Sequence, residues 1–232
     1  GGRCIERRIP ISGKGAIMSI KKAWLVNMIF LLLAAPSLMA DVRDISRNEQ
    51  DTYLSESEIY YLEFMREEEK LARDVYITMH EQWGLPVFSY ISESEQRHMD
   101  AIKRMLDAYD IADPVVDESA VGVFQNSELA ALYSVLIDDG MRSAMAALRV
   151  GALIEEVDIE DIQHAIDETY QDDIVSAYQS LLCGSRNHLR AFVYQVESNG
   201  GVFETQIFTD EEGQELIESI IESPIERDCG SY

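Results

Sequence analysis

Carboxylates and imidazoles recur in this chain at positions where a helix should be apolar. Glu69 lies on the stripe Leu62, Met65, Ala72 and Tyr76. Glu95 and His98 share one helical face that Ile102 and Met105 continue. Glu155 sits on the stripe of Leu148, Ala152 and Ile162, Asp158 follows it by three residues, and His188 sits with Leu181, Leu189 and Phe192. Burying several carboxylates without compensation is costly, and a cation relieves that cost. Carboxylates with imidazole suit iron, manganese or zinc. Glu69, Glu95, His98, Glu155, Asp158 and His188 are therefore potential ligands offered to a bundle interior. The run Glu67-Glu68-Glu69 is of a kind usually solvated; only Glu69 falls on the better apolar stripe, while Glu68 lies nearer Phe64 and Leu71 and leaves a one-position shift open. His80 and His164 fit no constellation and read as surface residues.

These side chains need helices to position them. Ile59, Leu62, Met65, Ala72, Val75, Tyr76 and Met79 recur at three- and four-residue spacings and predict a helix from about Leu54 to Trp83. Gly84-Leu85-Pro86 stops it. Ser92 or Ser94 is the expected cap of a second helix, which runs to about Tyr109 and is ended by Asp113-Pro114. Residues 113–126 read as a linker and Ser127 as the cap of a short helix reaching Gly140. Two more long helices are expected, from Ser143 to about Ile166 and from Asp172 to about Val196. Residues 202–208 (VFETQIF) alternate weakly and read as extended, and residues 210–222 read as a final short helix. Each long helix carries at least one candidate ligand. The expected fold is all-α, a ferritin-like four-helix bundle with one long crossover and short extra helices.

The motifs also carry a family resemblance. Residues 69–76, EKLARDVY, resemble the Glu-x-x-Ala-Arg-x-x-Tyr run of a rubrerythrin first helix, and residues 95–98, EQRH, its second-helix Glu-x-x-His. Residues 151–158, GALIEEVD, resemble the third-helix segment, and residues 185–192, SRNHLRAF, supply a fourth-helix His. Together these segments closely resemble domain-of-unknown-function family 2202 over roughly residues 54–222. The resemblance implies a site holding two irons, or manganese or zinc, with Glu69, Glu95, His98, Glu155 and His188 as ligands and Asp158 as a sixth. It implies dioxygen or peroxide as partners. One departure stands out: Ser185 occupies the place where a full fourth-helix Glu-x-x-His has Glu, and Asp158, Glu156 or water would have to substitute. Arg73, Arg186 and Arg190 are candidates for orienting ligands. Tyr76, Tyr178 and Tyr194 read as aromatic packing.

Composition bounds the rest. The chain has 232 residues and a formal net charge of -24, a balance that repels nucleic-acid phosphates and anionic lipid. Met18 begins an export-signal pattern: Lys21 and Lys22, the apolar run of residues 23–36, then Ser37-Leu38-Met39-Ala40 before Asp41. Residues 1–40 are thus upstream sequence plus signal, 41–53 a polar segment, 54–222 the bundle and 223–232 a tail. An exported chain, periplasmic or extracellular, keeps no stable membrane span after cleavage; the alternative is an uncleaved N-terminal anchor. It retains Cys183 and Cys229, which either pair or remain free thiols. A homodimer is the expected assembly, by analogy with other such bundles.

Three functions follow. The first is a di-metal oxidase, ferroxidase or peroxidase. The second is a non-enzymatic metal-binding protein of the cell envelope. The third is a metal-free helical interaction module whose inward carboxylates pair with Arg73, Arg186 and Arg190.

Overall fold

The structure is a computed structural model that describes residues 53–227 and 229; the export-signal pattern lies outside the described residues. Six helices follow in order: α1 (Glu56–Trp83), α2 (Pro86–Ala108), α3 (Ser127–Gly140), α4 (Ala144–Asp167), α5 (Asp172–Ser198) and α6 (Glu211–Glu222). Among the described residues there is no strand, and no helix is long and apolar enough to cross a membrane.

The long helices pack as two hairpins, α1 with α2 and α4 with α5. α1 also packs on α4 and α2 on α5, closing a four-helix bundle. The short α3 rides against α1 and α4, and α6 against α5. Leu62, Met65, Met79, Phe88, Met99, Ile102, Leu148, Ile162, Leu181 and Phe192 are all buried between the layers.

Helix ends follow local chemistry. Ser55 and Glu58 form a reciprocal capping box at the start of α1. The free Glu58 oxygen, Oε1, accepts the Thr169 hydroxyl at 2.8 Å and the Tyr170 amide at 3.1 Å, tying α1 to the α4–α5 turn. Gly84 ends α1 at φ 66°, where a side chain would be strained. Ser143 caps α4 and Asn126, rather than Ser127, caps α3.

Two expectations need correction. α2 begins at Pro86, not at Ser92 or Ser94, because a proline at the first helical position gives up no hydrogen bond and starts a helix as readily as it ends one. The Ser92 hydroxyl lies inside α2 and donates to the Ser89 carbonyl at 2.9 Å. Residues 202–208 form no strand. Instead, Glu156 draws this segment in, accepting the Thr205 hydroxyl at 2.6 Å and the Gln206 and Ile207 amides at 2.8 and 2.9 Å.

The crossover is no loose linker. Glu67 accepts the Gln125 and Asn126 amides at 2.6 and 2.8 Å. Arg66 grips Asp113 with both arms of its guanidinium and also reaches Glu118. Lys70 bonds Asp74 and the Ala120 carbonyl and lies over the Phe124 ring. Asp74 accepts the Gly122 amide at 2.9 Å. Residues 66 to 70 are consequently buried as a block, which corrects the reading of Glu67 and Glu68 as solvated. The crossover supplies the polar partners that water was expected to supply.

Candidate metal centre

The bundle interior assembles five of the six expected residues around one carboxylate. Glu95, in the third turn of α2, is fully buried, and its two oxygens face different imidazoles. Oε2 lies 2.7 Å from His98 Nδ1, and Oε1 lies 2.8 Å from His188 Nδ1. Each imidazole has a second carboxylate beside it. His98 Nδ1 is 3.2 Å from Glu69 Oε2, and His188 Nδ1 is 3.5 Å from Glu155 Oε2. Two triads result, Glu69–Glu95–His98 and Glu95–Glu155–His188, each with its ligand atoms within 4.8 Å of one another. The first draws on two helices, α1 and α2, the second on three, α2, α4 and α5, and Glu95 belongs to both.

The contacts have a distinctive chemistry. Both Glu95 oxygens, Glu155 Oε2 and His188 Nδ1 are buried without a hydrogen-bond partner. The Glu95–imidazole distances suit ion pairs, yet the atoms do not meet with hydrogen-bond directionality. His98 Nδ1 and Glu69 Oε2 do share a hydrogen bond at 3.2 Å, but the other converging atoms are unbonded, an arrangement that ligands adopt around a cation. The set of carboxylate oxygens and imidazole nitrogens fits iron, manganese or zinc. Tyr76 braces one side: its hydroxyl donates to Glu155 Oε1 at 2.5 Å, a positioning role beyond the packing expected of it.

Burial sets the electrostatics. It pushes the Glu69 carboxyl up to about 7, although His98 beside it pulls the other way. Glu155 rises for the same reason, opposed by His188. Glu95 is the exception: burial pushes it up, but the two imidazoles win and hold it well below the usual carboxylate range. Burial disfavours both imidazolium ions, but Glu69 and Glu95 raise His98 to about 9, while Glu95 and Glu155 raise His188 well above its ordinary value. Without a metal the imidazoles therefore keep protons at neutral pH, and a cation must displace them.

The remaining candidates fall elsewhere. Asp158 is buried on α4 and its Oδ2 has no hydrogen-bond partner, but it stands outside both triads. Burial, then the charges of Glu68 and Glu69, push its carboxyl well above the ordinary value. Ser185 is buried and donates its hydroxyl back to the Leu181 carbonyl at 3.2 Å, so the fourth helix offers His188 alone. Glu156 is committed to residues 205–207 and brings nothing to the centre.

The arginines do not orient ligands. Arg73 binds Asp74, Gln96 and the Glu118 carbonyl. Arg186 and Arg190 clasp Glu226 of the tail, and Cys183 is disulfide-bonded to Cys229 on the same helix face. Tyr194 is exposed and Tyr178 is buried. His164 is on the surface as expected, while His80 is half-buried and its Nδ1 lies 3.1 Å from the Leu85 carbonyl.

Comparison with known proteins agrees with the resemblance read from the motifs. Residues 58–220 match the family model described as "Uncharacterized protein domain (DUF2202)". The uncharacterised protein MJ0754 of Methanocaldococcus jannaschii is 46% identical over 174 residues, covering 75% of this chain and 94% of its own length. A crystal structure of hypothetical protein MJ0754 from Methanococcus jannaschii superposes with a TM-score of 0.72 at 44% identity, over 78% of this chain and 100% of that one.

Proposed function

The chain belongs to the DUF2202 family, and from that premise and the geometry of its interior we propose that it is a ferritin-like metalloprotein holding a two-metal, non-haem centre. The observation that carries this reading is Glu95, a fully buried carboxylate whose two oxygens each face a different histidine Nδ1 and neither of which is hydrogen-bonded. Glu95 would be shared between the two positions, with Glu69 and His98 holding one ion and Glu155 and His188 the other. Tyr76 holds the Glu155 carboxylate so that its second oxygen stays turned inward. Met65, Met99, Ile102 and Phe192, each four residues from a ligand on the same helix, are fully buried, which keeps bulk water away. Iron or manganese there would exchange electrons with dioxygen or peroxide, which makes oxidase, ferroxidase or peroxidase activity the expected chemistry.

A second reading has its own observation. Ser185 supplies no carboxylate, so the donor set is leaner on the α5 side, which favours a redox-inactive ion such as zinc in a non-enzymatic, metal-binding role. The metal-free interaction module is disfavoured, because Arg73, Arg186 and Arg190 are engaged elsewhere. Export to an oxidising compartment is part of the proposal and is supported by the Cys183–Cys229 bridge.

The experiment is metal analysis of residues 41–232 purified without chelator, beside the double variant Glu95→Ala/His98→Ala. About two metals per chain, lost in the variant, is the expected result. No metal in either protein after reloading with Fe(II), Mn(II) and Zn(II) overturns the reading. Oxygen consumption with added Fe(II) then separates enzyme from metal-holding protein.

A further inference from the structure

Gly184 lies in the middle of α5, where the chain needs no turn and where alanine would favour the helix more. Its reason is across the interface. A Cβ added at residue 184 would stand 2.4 Å from His98 Nε2 and 2.5 Å from His98 Cε1, far inside contact distance. The same Cβ would lie 3.8 Å from His188 Cε1, an ordinary contact. The outer edge of the His98 ring therefore occupies the volume that any side chain at 184 would fill. The ring is also stacked on His188, with centroids 5.4 Å apart and planes 26° apart, so it cannot retreat in that direction.

We propose that Gly184 is the positioning residue for the His98 metal position: its missing side chain lets the imidazole turn Nδ1 toward Glu95 and Glu69, and any larger residue evicts that ring while sparing the Glu95–Glu155–His188 triad. The inference rests on the two-metal reading and deepens it, because it makes the two positions separable by one methyl group on a helix that contributes no ligand to the first.

The chemistry of the δ position supplies a test that a merely structural glycine would fail. In histidine Nδ1 is bonded to Cγ, and in aspartate Oδ1 is bonded to Cγ, so aspartate at 98 presents an oxygen near where Nδ1 stands. Aspartate lacks the Cε1–Nε2 edge that meets residue 184. Gly184→Ala should therefore lose one metal, and Gly184→Ala/His98→Asp should recover it.

The measurement is Zn(II) bound per folded chain, counted by native mass spectrometry after loading and desalting. The variants are wild type, Gly184→Ala, Gly184→Ala/His98→Asp and Gly140→Ala. The last is a steric control, since its Cβ would press on the flexible end of Met79, at 2.3 Å, and otherwise make an ordinary contact with Ala147 Cα at 3.6 Å. The expected counts are about two, one, two and two. Gly184→Ala holding two zinc ions as tightly as wild type overturns the proposal, as does a double variant that stays at one. If Gly184→Ala does not fold, the double variant decides alone: two zinc ions support the proposal and one overturns it. Wild type holding no zinc, iron or manganese is a separate outcome that overturns the two-metal reading, and this inference with it.

Discussion

Two clusters of buried charge sit on opposite sides of α1, and they are built differently. On the outer side Arg66, Glu67, Lys70, Arg73 and Asp74 meet the crossover, and cations stand against anions or carbonyls. Asp74 alone accepts from Lys70, from Arg73 at 2.8 Å and from the Gly122 amide at 2.9 Å. On the inner side Glu69, Glu95 and Glu155 gather around two imidazoles, with several of their atoms lacking any hydrogen-bond partner. In the first cluster Arg66 Nη1, a donor, is the one buried side-chain atom without a hydrogen-bond partner, and every carboxylate is met from within the chain. The second is complete only with something added. The contrast teaches that burial of charge does not mark a metal site; unmet lone pairs of several side chains converging on one point do.

The sharpest way to break this comparison is to remove one carboxylate from each cluster in metal-free protein. Asp74→Ala strands Lys70, Arg73 and the Gly122 amide, and chemical denaturation should show a loss of about 3–5 kcal/mol, with metal binding retained. Glu155→Gln should have the opposite sign. It removes a buried charge while keeping an acceptor for Tyr76, so the metal-free protein should gain about 1 kcal/mol and lose its stabilisation by metal. Loss of stability in both variants would erase the distinction.

pH sharpens the comparison more gently. The Glu69 pKa is raised from 4.5 to about 7 and the His98 pKa from 6.5 to about 9. A raised folded-state pKa contributes stability below the unfolded value and loses it as pH climbs through the folded one. Metal-free protein should therefore melt at progressively lower temperature between pH 5 and 9, in contrast to the usual carboxylate behaviour. Metal affinity should strengthen over the same range, because the cation competes with the protons on His98 and His188. Thermal melts with and without Zn(II) across that range check both slopes.

Much of the interior was readable in the chain because helical periodicity and the Glu-x-x-His spacing are local signals. The apolar stripe favours Glu69 over Glu68 but leaves a one-position shift open, and Glu95, His98, Glu155 and His188 stand out through their co-occurrence, with a candidate on every long helix. The α2 start was misread because Pro86 ends one helix and begins the next, and the sequence does not say which role dominates. The outer cluster was invisible, since Glu67 and Lys70 acquire partners only when residues 113–126 fold back over them, and nothing in a linker's composition fixes its path. Glu156 was hidden for the same reason: its partners are backbone amides of residues 206 and 207. Gly184 had left a trace, a lone glycine inside a helical pattern, but its meaning required knowing that His98 lies opposite.

The most direct test of the central claim is anomalous diffraction from crystals of the protein loaded with Zn(II). The account predicts two peaks inside the bundle, one within about 2.1 Å of Glu69, Glu95 and His98 and the other equally close to Glu95, Glu155 and His188. A bundle with no peak at Glu95, its oxygens bound instead to protonated His98 and His188, would contradict it.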